Sequence, residues 1–308
     1  MKTAIVGAGI CGLYLARKLA GEGHQVTVFE KRSEIGKAVC SGLFSERLFD
    51  FFPESKELAE NSVEGALIHF PSKTLKLKFA GDFFVISHRR LDNLAAQQAE
   101  KAGAELILNS DISRLPDFPL VIGCDGALSR IRKILKLPEP RYWSGIQGFL
   151  EKEDNSSFVE TWPTGRGGFI WKIPRGKNTE YGIMEKMHSA KKIFDEFLKK
   201  EKIVLRDVKS ALIPQGLVLP ANAKVTLCGD ASGLTKPWSG GGVVWNLIQS
   251  DLLLRNFPNF LKYKKEAENL FLPKIVFGNM AKKIIYFSGF NLPWIMPASY
   301  RIDGDFIL

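Results

Sequence analysis

Short apolar runs punctuate this chain at residues 3–6, 26–29, 120–124 and 225–228. Each run has the length and composition of a buried β-strand. The first, third and fourth are each followed by a turn that contains glycine and then by a helical apolar pattern. Repeated strand-turn-helix units predict an α/β domain built on a parallel sheet.

A second pattern occupies residues 141–186, where aromatic residues and glycines alternate and two Pro-x-Gly turns interrupt them. This predicts an antiparallel sheet that forms a separate lobe. Further strands are expected at 62–70, 74–79, 83–87, 104–108 and 203–213, and helices at 44–60, 88–102, 189–201 and 243–254. From residue 257 onward we expect helical segments interrupted by Pro258, Pro273, Pro293 and Pro297.

The composition is that of an ordinary globular protein and suits one large domain or two lobes. The chain has 308 residues, of which 45% are hydrophobic and 25% are charged. It contains no apolar run of about 20 residues, so we expect no membrane span. The net charge of +10 favours an anionic partner, such as a lipid headgroup, a phosphorylated substrate or an acidic protein. Because the basic residues are scattered, we do not expect nucleic acid.

The four cysteines, Cys11, Cys40, Cys124 and Cys228, show neither C-x-x-C spacing nor a nearby histidine partner. We therefore expect free thiols in a reducing compartment, a cytoplasmic protein, and no metal site.

The N-terminal turn carries the first candidate chemistry. Gly7, Gly9 and Gly12 form a G-x-G-x-x-G pattern between a strand and a helix, and Glu30 ends the next strand. Such glycines allow close approach to a dinucleotide pyrophosphate, and the acidic residue can accept a hydrogen bond from a ribose hydroxyl.

Two more strand ends repeat this arrangement. Asp125-Gly126 and Gly229-Asp230 follow apolar runs, and Gly240–Gly242 opens the next helix after Pro237. Asp230 is placed to accept a hydrogen bond from a sugar or ribityl hydroxyl. Three such strand ends predict one ligand laid across the top of a parallel sheet. Arg89 or Arg90, at a predicted helix start, either meets a phosphate or forms a solvated basic helix end.

Cys40 and Trp171 are the remaining candidates. Cys40 lies in a polar loop between Gly36 and Gly42, where a semi-buried structural thiol is the simplest interpretation. Trp171 belongs to an aromatic stripe at strand spacing, which is more typical of a packed core than of a pocket wall.

Taken together, these motifs resemble those of flavoproteins of the para-hydroxybenzoate hydroxylase superfamily over nearly the whole chain. Three segments are similar to the geranylgeranyl reductase family: Ile35-Gly36 leading to Cys40-Ser-Gly42, Phe169-x-Trp171-x-Ile173-Pro174, and Pro237-x-x-Gly240-Gly241-Gly242. The chain differs from the family pattern at Phe169, where tyrosine is usual, at Ile173, where an aromatic residue is usual, and at His88, where arginine is common. It is also shorter near its C-terminus.

The resemblance implies an FAD-dependent reductase of isolated C=C bonds in prenyl chains, in isoprenoid or archaeal ether-lipid synthesis. The substrate would be a prenylated lipid or prenyl diphosphate, and the external electron donor NAD(P)H, ferredoxin or a reduced deazaflavin. The implied FAD-binding residues are Gly7, Gly9, Gly12, Glu30, Lys31, Cys40, Arg89, Asp125, Gly126, Gly229, Asp230, Pro237, Gly240, Gly241 and Gly242.

The implied catalytic residues are Cys40 and Trp171, with Trp171 and Trp238 as pocket walls. Cys40 either donates the proton that complements hydride addition or shapes the lipid end of the pocket. A thiol in apolar surroundings stays protonated, which suits the first role.

The expected fold class is a Rossmann-like FAD-binding domain with an inserted antiparallel-sheet substrate domain, as in para-hydroxybenzoate hydroxylase. We assign 1–62, 83–140 and 214–256 to the FAD-binding domain, 63–82 and 141–213 to the substrate domain, and 257–308 to a helical C-terminal region. The basic, aromatic C-terminal region either lies on the inner face of an anionic membrane or packs over the substrate lobe. Two other functions remain open: an FAD-dependent monooxygenase of an aromatic substrate, and a non-catalytic prenyl-binding escort protein.

Overall fold

The computed structural model describes residues 1–36 and 39–305. Its strands are β1 Lys2–Val6, β2 Gln25–Phe29, β3 Leu43–Ser45, β4 Ala59–Phe70, β5 Lys73–Ile86, β6 Glu105–Ile107, β7 Leu120–Gly123, β8 Arg141–Leu150, β9 Phe158–Pro163, β10 Phe169–Arg175, β11 Asn178–Glu185, β12 Arg206–Gln215, β13 Val225–Leu227 and β14 Ser299–Ile302. Its α-helices are α1 Ile10–Gly21, α2 Leu48–Phe51, α3 His88–Lys101, α4 Arg130–Ile134, α5 Met187–Glu201, α6 Val243–Asn256 and α7 Phe260–Asn291.

The predicted parallel sheet is present, with five strands in the order β13-β7-β1-β2-β6. Val6 pairs with Gly123 across β1 and β7, and Gly123 pairs with Leu227 across β7 and β13. The three turns that follow these strands therefore start at the same edge of the sheet. The main core, including the fully buried Ile5 and Leu13, packs around this sheet.

The second sheet has nine strands in the order β12-β8-β11-β10-β9-β4-β5-β14, with β3 also paired to β5. Most of its pairs are antiparallel, as predicted, but β4–β9 and β5–β14 are parallel. These partners come from separate passes of the chain, and parallel strands need long connections.

The predicted domain boundaries at 62/63, 82/83 and 213/214 fall inside strands β4, β5 and β12. β5 is one continuous strand, although two were predicted, and its last residues still pair with β3 and β4. β4 and β5 thus belong wholly to the second sheet, and the chain passes between the two sheets outside residues 59–86. The division of the chain into domains stays a prediction.

Two predicted helical regions are corrected. Residues 44–60 are not one helix: they hold the end of β3, the short α2, a 3₁₀ turn at Pro53–Leu58 and the start of β4. Conversely, α7 runs for 32 residues straight through Pro273. Phe271 is buried before the proline and Gly278 is buried after it. Packing on both sides outweighs the local cost of a missing backbone N–H.

Within residues 1–36 and 39–305, none of the helices combines the length and apolar character that crossing a membrane requires.

Candidate functional site

A large cavity of about 1090 Å³ lies between the two sheets and α7. Its walls include these residues singled out by the sequence: Gly7, Gly9, Glu30, Lys31, Cys40, Asp125, Gly126, Trp171, Gly229, Asp230, Trp238, Gly240, Gly241 and Gly242. Three predicted residues, Gly12, Arg89 and Pro237, are described by the structure but do not line it.

The glycines of the turn after β1 have two roles. Gly7 and Gly12 allow close backbone packing, and Gly9 leaves open space at the cavity. Gly7 has φ +105°, and a Cβ there would lie 2.4 Å from the carbonyl oxygen of Cys124. A Cβ on Gly12 would lie 2.1 Å from the carbonyl oxygen of Gly7. A Cβ on Gly9 would meet no protein atom within 4 Å. Gly7 and Gly12 thus hold the turn together, while Gly9 faces open space at the uncapped start of α1.

Glu30 braces this turn from the end of β2. Its Oε2 accepts a 2.9 Å hydrogen bond from the Ala8 N–H, and its Oε1 accepts a 3.0 Å bond from the Arg32 N–H. A carboxylate has lone pairs beyond these two bonds, and Glu30 lines the cavity. It can therefore also accept a hydrogen bond from a ribose hydroxyl.

The two carboxylate oxygens of Asp125 differ: one accepts backbone hydrogen bonds, and the other accepts none from the described residues. Its Oδ2 accepts hydrogen bonds from the N–H groups of Arg130 at 2.7 Å and Ile131 at 3.1 Å, at the start of α4. Its Oδ1 is buried and has no hydrogen-bond partner within residues 1–36 and 39–305. A buried polar atom without a partner is costly, and a ligand donor in the cavity would satisfy it.

Asn246, which was not predicted from the sequence, repeats this situation on the first turn of α6. Its Nδ2 donates a 3.0 Å hydrogen bond to Asp230 Oδ1, and its own Oδ1 is buried with no hydrogen-bond partner in the described part of the chain. Its position just after Gly240–Gly242 was the available signal. With Asp230, it adds a second polar group that suits a hydroxyl-bearing ligand.

Gly240, the first glycine of the triplet before α6, packs closely against the second sheet. Gly240 has φ +68°, and a Cβ there would lie 2.5 Å from the sulfur of Met184. Gly242 is the N-cap of α6 and has no side-chain cap. The start of α6 therefore presents free backbone N–H groups, as α1 does. Open glycines, unsatisfied polar atoms and two such helix starts fit a flavin dinucleotide.

Two side chains, from β8 and β10, donate hydrogen bonds to the backbone of the loop that carries Cys40. Gln147 Nε2 donates to the carbonyl oxygen of Cys40 at 3.2 Å, and Arg175 donates to that of Ser41 at 2.8 Å. Cys40 is half-buried, and its sulfur accepts a 3.5 Å hydrogen bond from the Gly42 N–H. Its position at the cavity wall is thus fixed by the second sheet.

His88 stands beside Cys40, on the cavity wall at the start of α3. Its Nε2 lies 3.3 Å from Asp92 Oδ1, and both side chains are buried. Burial acts to lower the pKa of His88, but the charge of Asp92 and the neighbouring Cys40 raise it to about 10. The imidazole is therefore protonated at neutral pH. A cation beside the thiol favours the thiolate, which differs from the apolar surroundings expected for Cys40.

Trp171 serves both as core and as cavity wall. It packs in an apolar cluster with Val63 and Phe83 and also lines the cavity. Its indole Nε1 donates a 2.9 Å hydrogen bond to Glu180, which pairs with Arg175 at 2.8 Å. Burial raises the pKa of Glu180 to about 8, although Arg175 and the Trp171 N–H oppose this shift. Glu180 was not a predicted residue, because it lies within an ordinary strand pattern.

Arg89 does not itself line the cavity, although its partner Glu34 does. Its guanidinium pairs with Glu34, and both side chains are at least half exposed. Its role in binding FAD stays a prediction. Arg90 is likewise exposed, as a solvated basic helix end would be.

The far end of the cavity is apolar. It runs between β5 and α7 past Phe70, Phe79 and Tyr286. Tyr286 Oη donates to the carbonyl oxygen of Gly168 at 2.9 Å, so its polar atom is satisfied within the wall. The cavity thus joins a polar end at the parallel sheet to an apolar arm under α7.

Comparison with known proteins agrees with this geometry. Residues 5–51 match the family model of the NAD(P)-binding Rossmann-like domain. The chain is 25% identical to the digeranylgeranylglycerophospholipid reductase of Methanocella arvoryzae, over 82% of this chain and 76% of that protein.

The fold is also similar to that of a geranylgeranyl bacteriochlorophyll reductase-like protein from Thermoplasma acidophilum. The TM-score is 0.80 at 20% identity, covering 92% of this chain and 87% of the other. The chain is related to the geranylgeranyl reductases. The family resemblance seen in the sequence is therefore confirmed.

A second solved structure with this fold is a myxobacterial chondrochloren halogenase, a variant of the FAD-dependent halogenases. Its TM-score is 0.72 at 14% identity, covering 93% of this chain and 82% of that chain. This chain therefore has the same combination of a Rossmann-like sheet and a mixed sheet as both solved structures. The predicted fold class is confirmed.

Proposed function

We propose that this chain is an FAD-dependent oxidoreductase that reduces isolated C=C bonds in prenyl chains, as in archaeal lipid synthesis. The observation that carries the proposal is the single cavity that joins the dinucleotide-type turn at Gly9 to the apolar arm under α7. The names of the relatives, which are reductases of digeranylgeranylglycerophospholipids, support the same reaction class.

The residues around the polar end would hold FAD. Gly9 and the start of α1 would face its pyrophosphate, and Glu30 would accept a hydrogen bond from its ribose. Asp125 and Asp230 would accept hydrogen bonds from other hydroxyl or N–H groups of the cofactor. The loop Gly240–Gly242 would lie against its ring system. When bound and reduced, FAD supplies a hydride.

The chain's own residues would position the alkene and supply a proton. An isolated C=C bond has no carbonyl to polarise, so the apolar walls must place it against the cofactor. Trp171 and Trp238 form two of these walls. The His88 imidazolium would be the source of the proton, and the Cys40 sulfur would pass it to the second carbon of the alkene.

The partners that we propose are a prenylated lipid or prenyl diphosphate as substrate and an external electron donor. NAD(P)H, ferredoxin or a reduced deazaflavin would serve as donor. We also propose peripheral contact with an anionic membrane surface from the cytoplasmic side, for which the net charge of +10 is suitable.

Mass spectrometry of prenyl lipids incubated with the protein and dithionite tests the proposal. The expected product gains two hydrogen atoms for each reduced bond. Oxygen insertion into an aromatic substrate with NAD(P)H would instead support the monooxygenase. Tight binding of prenyl lipid without any turnover would support the escort protein.

A further inference from the structure

Helix α7 has two apolar faces, of which only one packs against the protein. Gly278 and Gly289 lie on the packing face, and a Cβ on Gly278 would be 2.7 Å from the Trp238 ring. A Cβ on Gly289 would be 2.2 Å from the Phe70 ring. Phe271 is buried on this face as well. These contacts account for the apolar residues of one side of the helix.

The other face is apolar and exposed. Its residues recur every three or four positions, which places them in one stripe along the helix. We call these residues the outer stripe: Leu272, Val276, Met280, Ile284 and Phe287, with exposed fractions of 42%, 68%, 53%, 58% and 61%. Beyond the helix, Trp294 and Ile295 are 72% and 60% exposed. Contiguous exposed apolar residues of this size mark an interaction surface.

The charged residues of segment 269–302, which carries the outer stripe, are all basic. This segment contains Lys274, Lys282, Lys283 and Arg301 and no aspartate or glutamate; Lys282 is buried at the cavity wall, whereas Lys283 and Arg301 are exposed. Lys283 is exposed on the same helix next to Ile284. An apolar face with flanking lysines and an exposed tryptophan is typical of segments that lie in the headgroup region of a bilayer.

The cavity reaches the surface beside the outer stripe. Phe277 and Ile285 line the cavity and are also 52% and 40% exposed. Each is the next residue after a member of the outer stripe. An apolar chain that enters between them would pass from the outer stripe directly into the apolar arm.

We propose that the outer stripe, with Trp294 and Ile295, docks this protein on the surface of an anionic lipid bilayer. The prenyl chain then enters the cavity between Phe277 and Ile285. The docking assigns residues to the membrane contact proposed above, and the entry step rests on the proposed prenyl reduction. A second copy of the chain suits this surface less well. A two-fold contact would place the same lysines opposite one another, with no acidic residue in this segment to pair with them.

Vesicle flotation of the purified full chain tests the docking. The variant is Val276→Ser/Ile284→Ser/Trp294→Ser, in which none of the three residues lines the cavity. The matched control is Val204→Ser/Val208→Ser, which removes two exposed valines, 81% and 54% exposed, near and in β12. Vesicles of pure phosphatidylcholine are compared with vesicles that also contain phosphatidylglycerol.

We expect the parent and the control to bind the anionic vesicles and the triple variant to bind at least tenfold less. Lys283→Gln should weaken binding about fivefold and reduce its salt dependence. Equal binding of the parent and the triple variant, or no binding by the parent, overturns the proposal. The proposal is also overturned if the parent does not bind vesicles and is dimeric by light scattering while the triple variant is monomeric.

Reduction of a detergent-solubilised prenyl substrate separates docking from chemistry. We expect the triple variant to keep this activity, because the cavity walls are unchanged. Vesicle binding without any prenyl reduction by the parent would overturn the proposed function and leave the docking in place.

Discussion

The indole Nε1 of Trp171 donates a 2.9 Å hydrogen bond to Oε1 of Glu180, a carboxyl that is fully buried on the adjacent strand. Arg175 holds the other carboxyl oxygen and, through the carbonyl of Ser41, the loop that carries Cys40. Both candidate catalytic residues, Trp171 and Cys40, are therefore linked by hydrogen bonds to the buried Glu180, Cys40 through Ser41 and Arg175. Because burial raises the pKa of Glu180 to about 8, these links respond to pH.

Stability should fall as the pH rises toward 8. The pKa of Glu180 is higher in the folded chain than the ordinary value of 4.5, so the folded state binds the extra proton between these values. Its contribution to stability is complete below about pH 4.5 and is lost as the pH passes about 8. Glu180→Gln should remove this part of the decline. Thermal unfolding at pH 5, 6.5 and 8 measures it.

Glu151→Gln, at an exposed site, is the control and should keep the slope of the parent. If Glu180→Gln and the parent lose stability equally between pH 5 and 8, Glu180 is ionised throughout that range.

Asp230→Ala should yield protein with little flavin. The substitution removes a carboxylate at the cavity wall and the acceptor of the Asn246 hydrogen bond, so two polar groups of the site are lost. We expect at least a tenfold lower flavin content as purified, measured by visible absorbance. Asp195→Ala, on the exposed side of α5, should retain the parent spectrum. A full flavin spectrum in Asp230→Ala would show that Asp230 does not hold the cofactor.

Cys40→Ala should retain flavin, remain reducible by dithionite and lose alkene reduction. Removing a proton-transfer group typically costs about 10²–10⁴ in rate, and we expect at least the lower figure. Single-turnover assays with prenyl substrate measure the loss. Turnover at the parent rate would mean that Cys40 serves only packing.

Cys124→Ala is the matched control for Cys40. Cys124 is buried directly beneath Gly7 and Gly12, so its removal should affect folding or flavin content instead of the chemical step.

His88→Gln should change the pH profile of alkene reduction. The pKa of His88 is raised to about 10 through Asp92 and Cys40, against the effect of burial. Its positive charge is therefore present at neutral pH and lost as the pH passes about 10. The parent should lose activity in that range, while the variant should be slower by about tenfold at pH 7 and lack this alkaline limb.

His88→Arg should restore the charge and much of the rate without restoring the alkaline limb. His188→Gln, at an exposed site on α5, should leave the profile unchanged. A parent profile that is flat up to pH 10.5 would contradict the role given to His88.

The sequence by itself determined the parallel sheet and its ligand-facing turns. Apolar runs that end at Gly7, Asp125 and Asp230 are local signals, because strand length and turn glycines are set by neighbouring residues. The same is true of α1, α3 and α6, whose starts follow glycine or a strand end. The family resemblance rested on these turns and was confirmed.

Only the tertiary structure decided which side chains meet. Asn246 on α6 and His88 on α3 line one cavity, and Glu180 on β11 is linked through Arg175 to the carbonyl of Ser41, so the fold brings distant elements together in a way that no local pattern encodes. Which face of α7 is exposed could not be predicted from the sequence for the same reason. Its helical pattern is apolar all round, and only packing against Phe70 and Trp238 shows which side remains in solvent.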